Sequence, residues 1–537
     1  MTAAPHADIK VLICEKLAEK GVEALAEQFT VVDGTSWSKD ELGERIGEFD
    51  AIVVRSATKV TADLIEKATA LKVIGRAGTG VDNVDLDAAT RRGIVVVNAP
   101  ESNSLSAAEH TIALIMAQAR NVAPAHARLV EGAWERSKFG GIEVTGKTLG
   151  VVGLGRIGRL VAERALGLRM NVIAYDPFLA EGRFRELGVG HAETLDEIYA
   201  ASDFVTLHMP ATPETRGMIN AEALKKMRPS ARLINVARGD LVDEQALADA
   251  VTNGTIAGAA VDVFASEPAT ESPLFGLPGV TVTPHLGAST VEAQDRAGSD
   301  VAEQVVAALT GGSVTTAVNI PAVSAEGMAA LRPFLPLANQ LGQLISALTG
   351  GQVSPLEISC EGALADHNTR LLCASALAGI LEGQIETKPN LVNAPHLAAE
   401  RGIQFTETTT TQSRDYTNRI TLRSGDVMVA GTTIGTTSRT RLVAALNKDI
   451  EIELAPHMGI FRNRDVPGMI GEVGSILGQA GINIASMAVS RNRHEGRALM
   501  AVAIDSPASA EAAEAISKIE GFEQVWFVNL EMGNGAA

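Results

Sequence analysis

The chain is poor in three features, each of which marks a particular class of protein. Only three cysteines occur in 537 residues and none belongs to a C-x-x-C pair, which excludes a disulfide framework and a cysteine zinc site. Lys and Arg number 46 against 64 Asp and Glu, and the resulting net charge of −18 repels nucleic acid and anionic lipid. No apolar run approaches the roughly 18 residues that a membrane span requires, and no secretion signal follows Met1. We therefore expect a cytoplasmic protein with no metal site and with neither nucleic acid nor membrane as partner.

Apolar residues and glycines, in contrast, are abundant. Apolar residues make up 46% of the chain and charged residues 20%, a balance typical of globular proteins. At roughly 100 to 200 residues per domain, the length predicts three to five domains. The 51 glycines lie at the ends of apolar runs, which indicates many tight turns between short elements.

Two blocks of alternating strand and helix patterns occupy the first 320 residues. Short β-branched runs alternate with helical patterns from residue 9, and a long helical stretch near 102–121 precedes a second alternation. This order is typical of parallel sheets with crossover helices, and the helix after residue 290 could return to the first sheet. We predict an α/β fold with two doubly wound, Rossmann or flavodoxin-like domains: a discontinuous substrate-binding domain (1–101 and 290–321) and a nucleotide-binding domain (102–289).

The remaining third of the chain has a different pattern. A single helix is predicted over 326–350, followed by a Thr-rich region that alternates like exposed antiparallel strands, and these features indicate an α+β domain over 322–449. The last block, 450–537, has the order strand, helix, strand, strand, helix, strand, with its first strand at 450–456. This βαββαβ order is ferredoxin-like.

The motif GLGRIG at 153–158 follows one predicted strand and begins a helix. In that context the glycines let the backbone approach a pyrophosphate at the helix N-terminus. The next strand ends at Asp176, whose carboxylate would accept hydrogen bonds from a ribose and repel a 2′-phosphate. These features predict NAD as the cofactor; the alternative is a glycine turn that only packs helix on strand.

Three polar residues follow strand-like runs later in the chain, namely Arg238, Glu267 and His285. Strand carboxyl ends line the ligand crevice of a doubly wound sheet, so we expect these side chains to converge. A histidine can take a hydroxyl proton, a carboxylate can fix its tautomer, and a guanidinium can bind a substrate carboxylate. The grouping predicts oxidation of a 2-hydroxy acid. Taken singly, a strand-end Arg or Glu is more often a surface residue.

Several motifs carry a resemblance to a known family. GLGRIG at 153–158, NVARG at 235–239, DVF at 262–264 with Glu267-Pro268, and TPHLG at 283–287 resemble the D-isomer-specific 2-hydroxyacid dehydrogenases in spacing and order. VRSATKV at 54–60 and GRAGTGVDN at 75–83 are similar to long members of that family, which carry an intervening domain and a C-terminal ACT domain. The resemblance implies NAD-dependent oxidation of 3-phospho-D-glycerate to 3-phosphooxypyruvate, the first step of phosphorylated L-serine biosynthesis.

The resemblance also implies individual roles. Arg238 would bind the substrate carboxylate, His285 would be the acid/base, and Glu267 its partner. The implied cofactor contacts are Thr79, Gly153, Gly155, Arg156, Ile157, Gly158, Asp176, Val236, Ala237, Asp262, Gly287 and Ala288. The implied substrate contacts are Arg55, Ser56, Lys59, Arg76, Asn103 and, from a second subunit, Arg136. The residues support this implication, because an otherwise acidic protein needs local cations to hold the phosphate of a phosphorylated 2-hydroxy acid, and Arg55, Lys59 and Arg76 lie at the ends of adjacent predicted strands. The alternative is that they are ordinary surface cations.

Regulation and assembly are implied by the last block. NRDVPG at 463–468 and GINI at 481–484 are similar to the ligand-binding turn and strand of ACT domains, which implies L-serine as effector with contacts at Asp465 and Asn483. Asn463 and Val466 depart from the histidine and arginine of some serine-inhibited members, and the alternative is a domain that only mediates assembly into a homodimer or homotetramer. Alternatives for the whole chain are a dehydrogenase of 2-hydroxyglutarate, glyoxylate or lactate, and a NAD-sensing binding protein similar to a co-repressor.

Overall fold

Four β-sheets, each with its own helices, succeed one another along the chain. The computed structural model describes residues 5–312, 314–353, 355–413, 415–492 and 496–532. Within those ranges, every helix is too short or too polar to cross a membrane.

The first sheet is parallel and has the strand order β2-β1-β3-β4-β5. Its central strand β3 is fully buried, and its helices α2 and α3 begin at the side-chain caps Ser38 and Thr61. The elements are β1 (His6–Ile13), α1 (Glu19–Ala26), β2 (Phe29–Asp33), α2 (Lys39–Arg45), β3 (Ala51–Val54), α3 (Ala62–Lys67), β4 (Val73–Arg76), α4 (Leu86–Arg91) and β5 (Val95–Asn98).

The second sheet is also parallel and has the order β12-β11-β10-β9-β6-β7-β8. The order reverses between β6 and β9, which creates a crevice at the carboxyl ends of these strands. The elements are α5 (Ser104–Arg120), α6 (Val122–Val130), β6 (Thr148–Val152), α7 (Arg156–Gly167), β7 (Asn171–Tyr175), α8 (Glu181–Glu186), β8 (Gly190–His191), α9 (Leu195–Ala201), β9 (Phe204–Leu207), α10 (Ala221–Lys226), β10 (Arg232–Asn235), α11 (Glu244–Thr252), β11 (Gly258–Val261) and β12 (Val280–Val282).

A long helix, α12 (Val291–Thr310), connects the two parallel sheets. Thr290 caps it by accepting a hydrogen bond from the backbone N–H of Ala293. Its buried face, which includes Val301 and Val305, packs against β4, β5 and α1 of the first sheet. The chain therefore returns to the first layer after the second sheet is complete.

The third sheet has the order β14-β13-β15-β16-β17-β18 and is antiparallel except for the β13–β14 pair. Its elements are α13 (Ala325–Leu331), α14 (Leu335–Leu348), β13 (Leu356–Gly362), α15 (Arg370–Leu381), α16 (Ala394–Glu400), β14 (Phe405–Thr410), β15 (Asn418–Ser424), β16 (Val427–Ile434), β17 (Arg439–Ala445) and β18 (Lys448–Glu453). The prediction of one helix over 326–350 is wrong. Pro333 and Pro336 lack backbone N–H groups, and a 3-10 turn separates α13 from α14.

The fourth sheet has the order β20-β21-β19-β22 and is antiparallel. Its elements are β19 (His457–Arg464), α17 (Met469–Gln479), β20 (Ile484–Asn492), β21 (Arg497–Ile504), α18 (Ala510–Ser517) and β22 (Phe522–Asn529), which confirms the ferredoxin-like order. The expected first strand at 450–456 is wrong, because β18 in that region pairs with β17 of the third sheet. Ile450 and Ile452 alternate inward there, and short alternating strands look alike in sequence whichever sheet they join.

The third and fourth sheets share one hydrophobic core. Met458, Ile460 and Val528 of the last sheet lie in the same buried cluster as Leu341 and Leu344 of α14. The opposite face of the fourth sheet is covered by α17 and α18. The last two domains are therefore packed together through an apolar surface.

Candidate active site

One cavity of about 680 Å³ lies between the two parallel-sheet layers. His285 and Glu267, which follow strands of the second sheet, line one wall, and the loops that follow β3 and β4 line the other. The predicted residues that share this cavity are Arg55, Ser56, Lys59, Arg76, Asn103, Glu267, His285 and Ala288. The carboxyl ends of strands from two sheets meet here, so residues more than 200 positions apart become neighbours.

His285 and Glu267 form a hydrogen-bonded pair, with 2.6 Å between Nδ1 of His285 and Oε2 of Glu267. Burial raises the pKa of Glu267, but hydrogen bonds from His285 and from the backbone N–H of Phe264 outweigh it and leave the pKa below its ordinary value. The carboxylate is therefore ionised at neutral pH and can accept hydrogen bonds but cannot donate one. It follows that Nδ1 of a neutral His285 carries the proton and Nε2 is bare, as a proton acceptor requires.

Buried Asp262 holds the turn that carries His285. Its carboxylate accepts hydrogen bonds from the backbone N–H groups of Leu286 (2.7 Å) and Gly287 (2.9 Å) and from the hydroxyl of Thr283 (2.6 Å). His285 itself adopts a left-handed conformation with φ 54°, which a non-glycine residue enters only when its surroundings require it. Burial raises the pKa of Asp262, but the hydrogen bonds that its carboxylate accepts outweigh burial and leave the pKa below its ordinary value. The cofactor contact that the resemblance implies for Asp262 stays a prediction, and the hydrogen bonds of its carboxylate within the described residues go to the histidine turn.

Arg238 spans the cleft between the two layers. Buried Asn235 donates a hydrogen bond to the backbone carbonyl of Arg238, and Nε of Arg238 lies 3.3 Å from Oδ2 of Asp82 in the first layer. Arg238 is absent from the residues that line the cavity, but its charge is close enough to lower the pKa of Arg76. The guanidinium therefore lies beside the cavity, in contact with the opposite layer.

The wall opposite His285 is rich in positive charge. Burial lowers the pKa of Arg76 below its ordinary value, and the charge of Arg238 lowers it further; Nε of Arg76 is buried without a hydrogen-bond partner among the described residues. The side chains of Arg55 and Lys59 likewise have no ion pair within the described part of the chain. Cations that line a cavity and lack an ion-pair partner among the described residues favour an anionic ligand.

The glycine loop meets the requirements of a dinucleotide. Gly153 has φ 91°, and a Cβ there would lie 2.6 Å from the carbonyl oxygen of His208. A Cβ at Gly158 would collide with the carbonyl oxygen of Gly153, whereas the space around Gly155, which precedes α7, is open. Asp176 lies against the loop and accepts a hydrogen bond of 2.9 Å from the backbone N–H of Leu154. An open helix N-terminus with a carboxylate at the next strand fits NAD.

Other predicted residues occupy different positions around the cleft. Thr79 donates a hydrogen bond of 2.7 Å to the side chain of Asn103, and Arg156, in the first turn of α7 with Ile157, pairs with Glu101. Val236 and Ala237 follow β10, next to Gly287. Arg136 is exposed outside the cavity, in a 3-10 turn after α6.

The two predicted effector contacts are engaged within the last domain. Both carboxylate oxygens of Asp465 accept hydrogen bonds from Nε of Arg491, at 2.8 and 3.0 Å. Asn483 donates a hydrogen bond of 2.7 Å to Asp505. Asn463 is buried, and its Oδ1 has no partner among the described residues.

Sequence reasoning missed several residues of the cavity. Lys16 and Gln294 line it, as do Phe264 and Phe275, whose rings meet edge to face with 5.5 Å between centroids. Lys16 follows the end of β1, so the strand-end rule that selected Arg238 would also have found it. Gln294 lies in the first turn of α12 and carries no comparable signal.

Three family models match consecutive parts of the chain. Residues 112–287 match the NAD binding domain of D-isomer specific 2-hydroxyacid dehydrogenases, 330–445 match the D-3-phosphoglycerate dehydrogenase intervening domain, and 460–521 match the ACT domain. Among solved structures, the TT0316 protein from Thermus thermophilus is 35% identical with a TM-score of 0.53, and it aligns over 58% of this chain and 100% of its own. A glyoxylate reductase from Paecilomyes thermophila is 29% identical with a TM-score of 0.53, over 58% and 98%. Together with the His285–Glu267 pair, these matches define an NAD-dependent 2-hydroxyacid dehydrogenase.

Relatives that match nearly the whole chain identify the family within the 2-hydroxyacid dehydrogenases. The D-3-phosphoglycerate dehydrogenase of Synechocystis sp. is 43% identical over 97% of this chain and 95% of its own, and that of Mycobacterium leprae is 44% identical over 97% and 99%. The enzyme of the same name from Methanocaldococcus jannaschii is 41% identical over 97% and 100%. The chain belongs to the D-3-phosphoglycerate dehydrogenase family.

Proposed function

We propose that this protein oxidises 3-phospho-D-glycerate to 3-phosphooxypyruvate with NAD, the first step of phosphorylated L-serine biosynthesis. One observation carries the proposal: one cavity has the His285–Glu267 pair on one wall and, on the other, the cations Arg55, Lys59 and Arg76, which form no ion pair with any described residue. A monocarboxylic 2-hydroxy acid such as lactate or glycerate has one negative charge and needs one cation. Several cations opposite the acid/base residue favour a substrate whose far end is a phosphate.

In this proposal, His285 removes the proton of the substrate hydroxyl. Its Nε2 is the free acceptor, because Glu267 holds the proton on Nδ1. As His285 becomes positively charged, the ionised carboxylate of Glu267 stabilises it through the same hydrogen bond. Arg238 binds the substrate carboxylate and thereby orients the C2–H bond. NAD, held by the glycine loop and Asp176, supplies the acceptor for the hydride of C2.

The test is a steady-state assay of NADH formation by the full-length protein with 3-phospho-D-glycerate, D-glycerate, D-2-hydroxyglutarate and D-lactate. We expect kcat/KM to be highest for 3-phospho-D-glycerate, and His285→Ala to lower kcat by about 10²- to 10⁴-fold while NAD still binds. If kcat/KM were higher for an unphosphorylated acid, that acid would be the better candidate substrate. No turnover of any acid, with NAD binding retained, would favour a NAD-sensing binding protein.

Regulation by L-serine is part of the proposal. Two observations support a small polar ligand near Asp465 and Asn483: the ACT match at 460–521, and the buried Oδ1 of Asn463, which has no hydrogen-bond partner among the described residues. Because Asp465 is paired with Arg491 in the single chain, the ligand would have to compete for that carboxylate or use the other contacts. Titration calorimetry and activity over millimolar L-serine test this; no binding heat and an unchanged rate would leave assembly as the role of the domain.

We also propose that the protein is a cytoplasmic homodimer or homotetramer. For its domains we propose the bounds predicted from the sequence, with the last boundary near residue 455, because β18 pairs with β17 of the third sheet. Three free, buried thiols fit a reducing compartment. Val130 of α6 is 74% exposed and nearby Trp134 is 83% exposed. If a partner subunit covered these two side chains, Arg136 of this subunit would lie close to the cavity of the partner subunit. Light scattering on the purified protein measures the assembly, and a monomer would exclude the role of Arg136.

A further inference from the structure

We propose that the turn between β1 and α1, residues 14–18, is a phosphate-recognition element of the substrate site. In this element Lys16 binds the phosphate of the substrate, and Glu15 positions the neighbouring loop, residues 55–58. The inference rests on the proposed function and extends it to two residues outside the motifs that carried the resemblance.

Glu15 holds the 55–58 loop through its carboxylate. Oε1 accepts hydrogen bonds from the backbone N–H groups of Arg55 (2.9 Å) and Thr58 (2.8 Å), and Oε2 accepts one from Ala57 (3.1 Å). Three backbone donors of one loop therefore converge on a single side chain that lies 40 or more residues earlier in the chain. A carboxylate is suited to this task, since it offers two acceptor oxygens and no donor.

The opposite side of the same loop is held by Asn83. Its Nδ2 donates hydrogen bonds of 2.7 Å to the backbone carbonyls of Arg55 and Thr58. Glu15 takes the loop's N–H groups and Asn83 takes its carbonyls, so the loop has a defined conformation before any substrate binds. Arg55 and Lys59 consequently enter the cavity from a preorganised backbone, which lowers the entropic cost of binding an anion.

Lys16 adds a fourth cation to the cavity. It lies next to Glu15 and lines the cavity with Arg55, Lys59 and Arg76, and none of the four has an ion pair within the described part of the chain. Glu267 is the one carboxylate among the described lining residues. The lining therefore carries four positive charges and one negative charge, a net of 4 − 1 = +3, inside a chain with a net charge of −18.

The charge balance matches a phosphorylated hydroxy acid. A phosphate monoester carries close to two negative charges at neutral pH, and the surplus of positive charge on the cavity lining favours such a dianion. Arg238, which lies outside the cavity lining and pairs with Asp82, is the cation that the proposed function assigns to the substrate carboxylate. Lys16 and the cations of the 55–59 region are then left to neutralise the phosphate.

The experiment compares Lys16→Met and Glu15→Gln with a matched control, Lys20→Met, in the full-length protein. Lys20 is exposed on α1, one turn beyond Lys16, and does not line the cavity. KM and kcat are measured for 3-phospho-D-glycerate and for D-glycerate, which lacks only the phosphate. Inhibition by inorganic phosphate provides a second readout.

We expect Lys16→Met to raise KM for 3-phospho-D-glycerate by about tenfold or more, the factor for loss of one charge-assisted hydrogen bond, and to affect D-glycerate far less. Inhibition by phosphate should weaken in parallel. Glu15→Gln places an amide donor against the N–H of Ala57, so KM for the phosphorylated substrate should rise about fivefold, more than kcat falls. Lys20→Met should behave as wild type.

Three results count against the proposal in distinguishable ways. If wild type prefers the phosphorylated acid but Lys16→Met changes KM for both acids equally, the role of Lys16 is refuted and the proposed function stands. If wild type does not distinguish 3-phospho-D-glycerate from D-glycerate, the proposed function fails and the phosphate element with it. A loss of kcat with unchanged KM in Glu15→Gln would show a merely structural role for Glu15.

Discussion

The hydrogen bond between Glu267 and His285 offers the most direct test of the chemistry. Replacement Glu267→Gln removes a carboxylate 2.6 Å from Nδ1 while keeping the size of the side chain. Two unit charges about 4 Å apart interact by about 4 kcal/mol at an effective dielectric constant of about 20. His285 is 47% and Glu267 34% exposed, and solvent screening reduces this to about 2 to 3 kcal/mol. We therefore expect kcat for oxidation to fall by about 30- to 160-fold.

The assay is steady-state NADH formation at saturating substrate, with NAD affinity measured separately by fluorescence. NAD affinity should stay close to wild type, since Glu267 lies away from the glycine loop. Glu271→Gln, an exposed neighbour outside the cavity, is the matched control. A kcat within about threefold of wild type in Glu267→Gln would refute the reasoning that the carboxylate stabilises the protonated histidine.

Further predictions concern the nucleotide loop and the buried carboxylate. Gly155→Ala should weaken NAD binding, because the new Cβ enters the open space at the helix N-terminus, and should change Tm little. Gly158→Ala should lower both NAD affinity and Tm, because its Cβ collides with the backbone. Equal Tm values for the two variants would contradict this prediction. Asp176→Ala should weaken NAD binding and reduce the preference for NAD over NADP, and unchanged NAD affinity by titration would exclude the ribose contact. Asp262→Asn should lower the free energy of unfolding by about 2 to 3 kcal/mol at neutral pH. Because the pKa of Asp262 is lower in the folded than in the unfolded protein, the ionised carboxylate stabilises the fold at pH values above the unfolded pKa of about 4. This stabilisation is lost as the pH falls through the folded pKa. Calorimetry should therefore show that the difference in unfolding free energy between wild type and Asp262→Asn shrinks in acid.

Sequence reasoning succeeded where the signal is local. The alternation of strands and helices in the first 320 residues and the βαββαβ order of the last block were found because turn geometry and strand burial depend on residues close together in the chain. The roles of the glycine loop, Asp176, Arg238, Glu267 and His285 stay predictions. It failed at 450–456, where an alternating strand has two sheets available, and at 326–350, where apolar periodicity concealed the effect of two prolines. The family resemblance supplied roles, such as that of Asp262, whose carboxylate the structure places behind the histidine turn.

Short periodic runs and motifs were enough to predict the fold class of the first 320 residues, the glycine loop and the candidate chemistry. Which charges face one another depends on how the sheets and helices pack. Glu15 meets the 55–58 loop across about 40 residues, and Lys16 shares a cavity with His285 across about 270. Such neighbours are set by the order of strands in two sheets and by the return of α12 to the first, and neither leaves a pattern in the residues themselves.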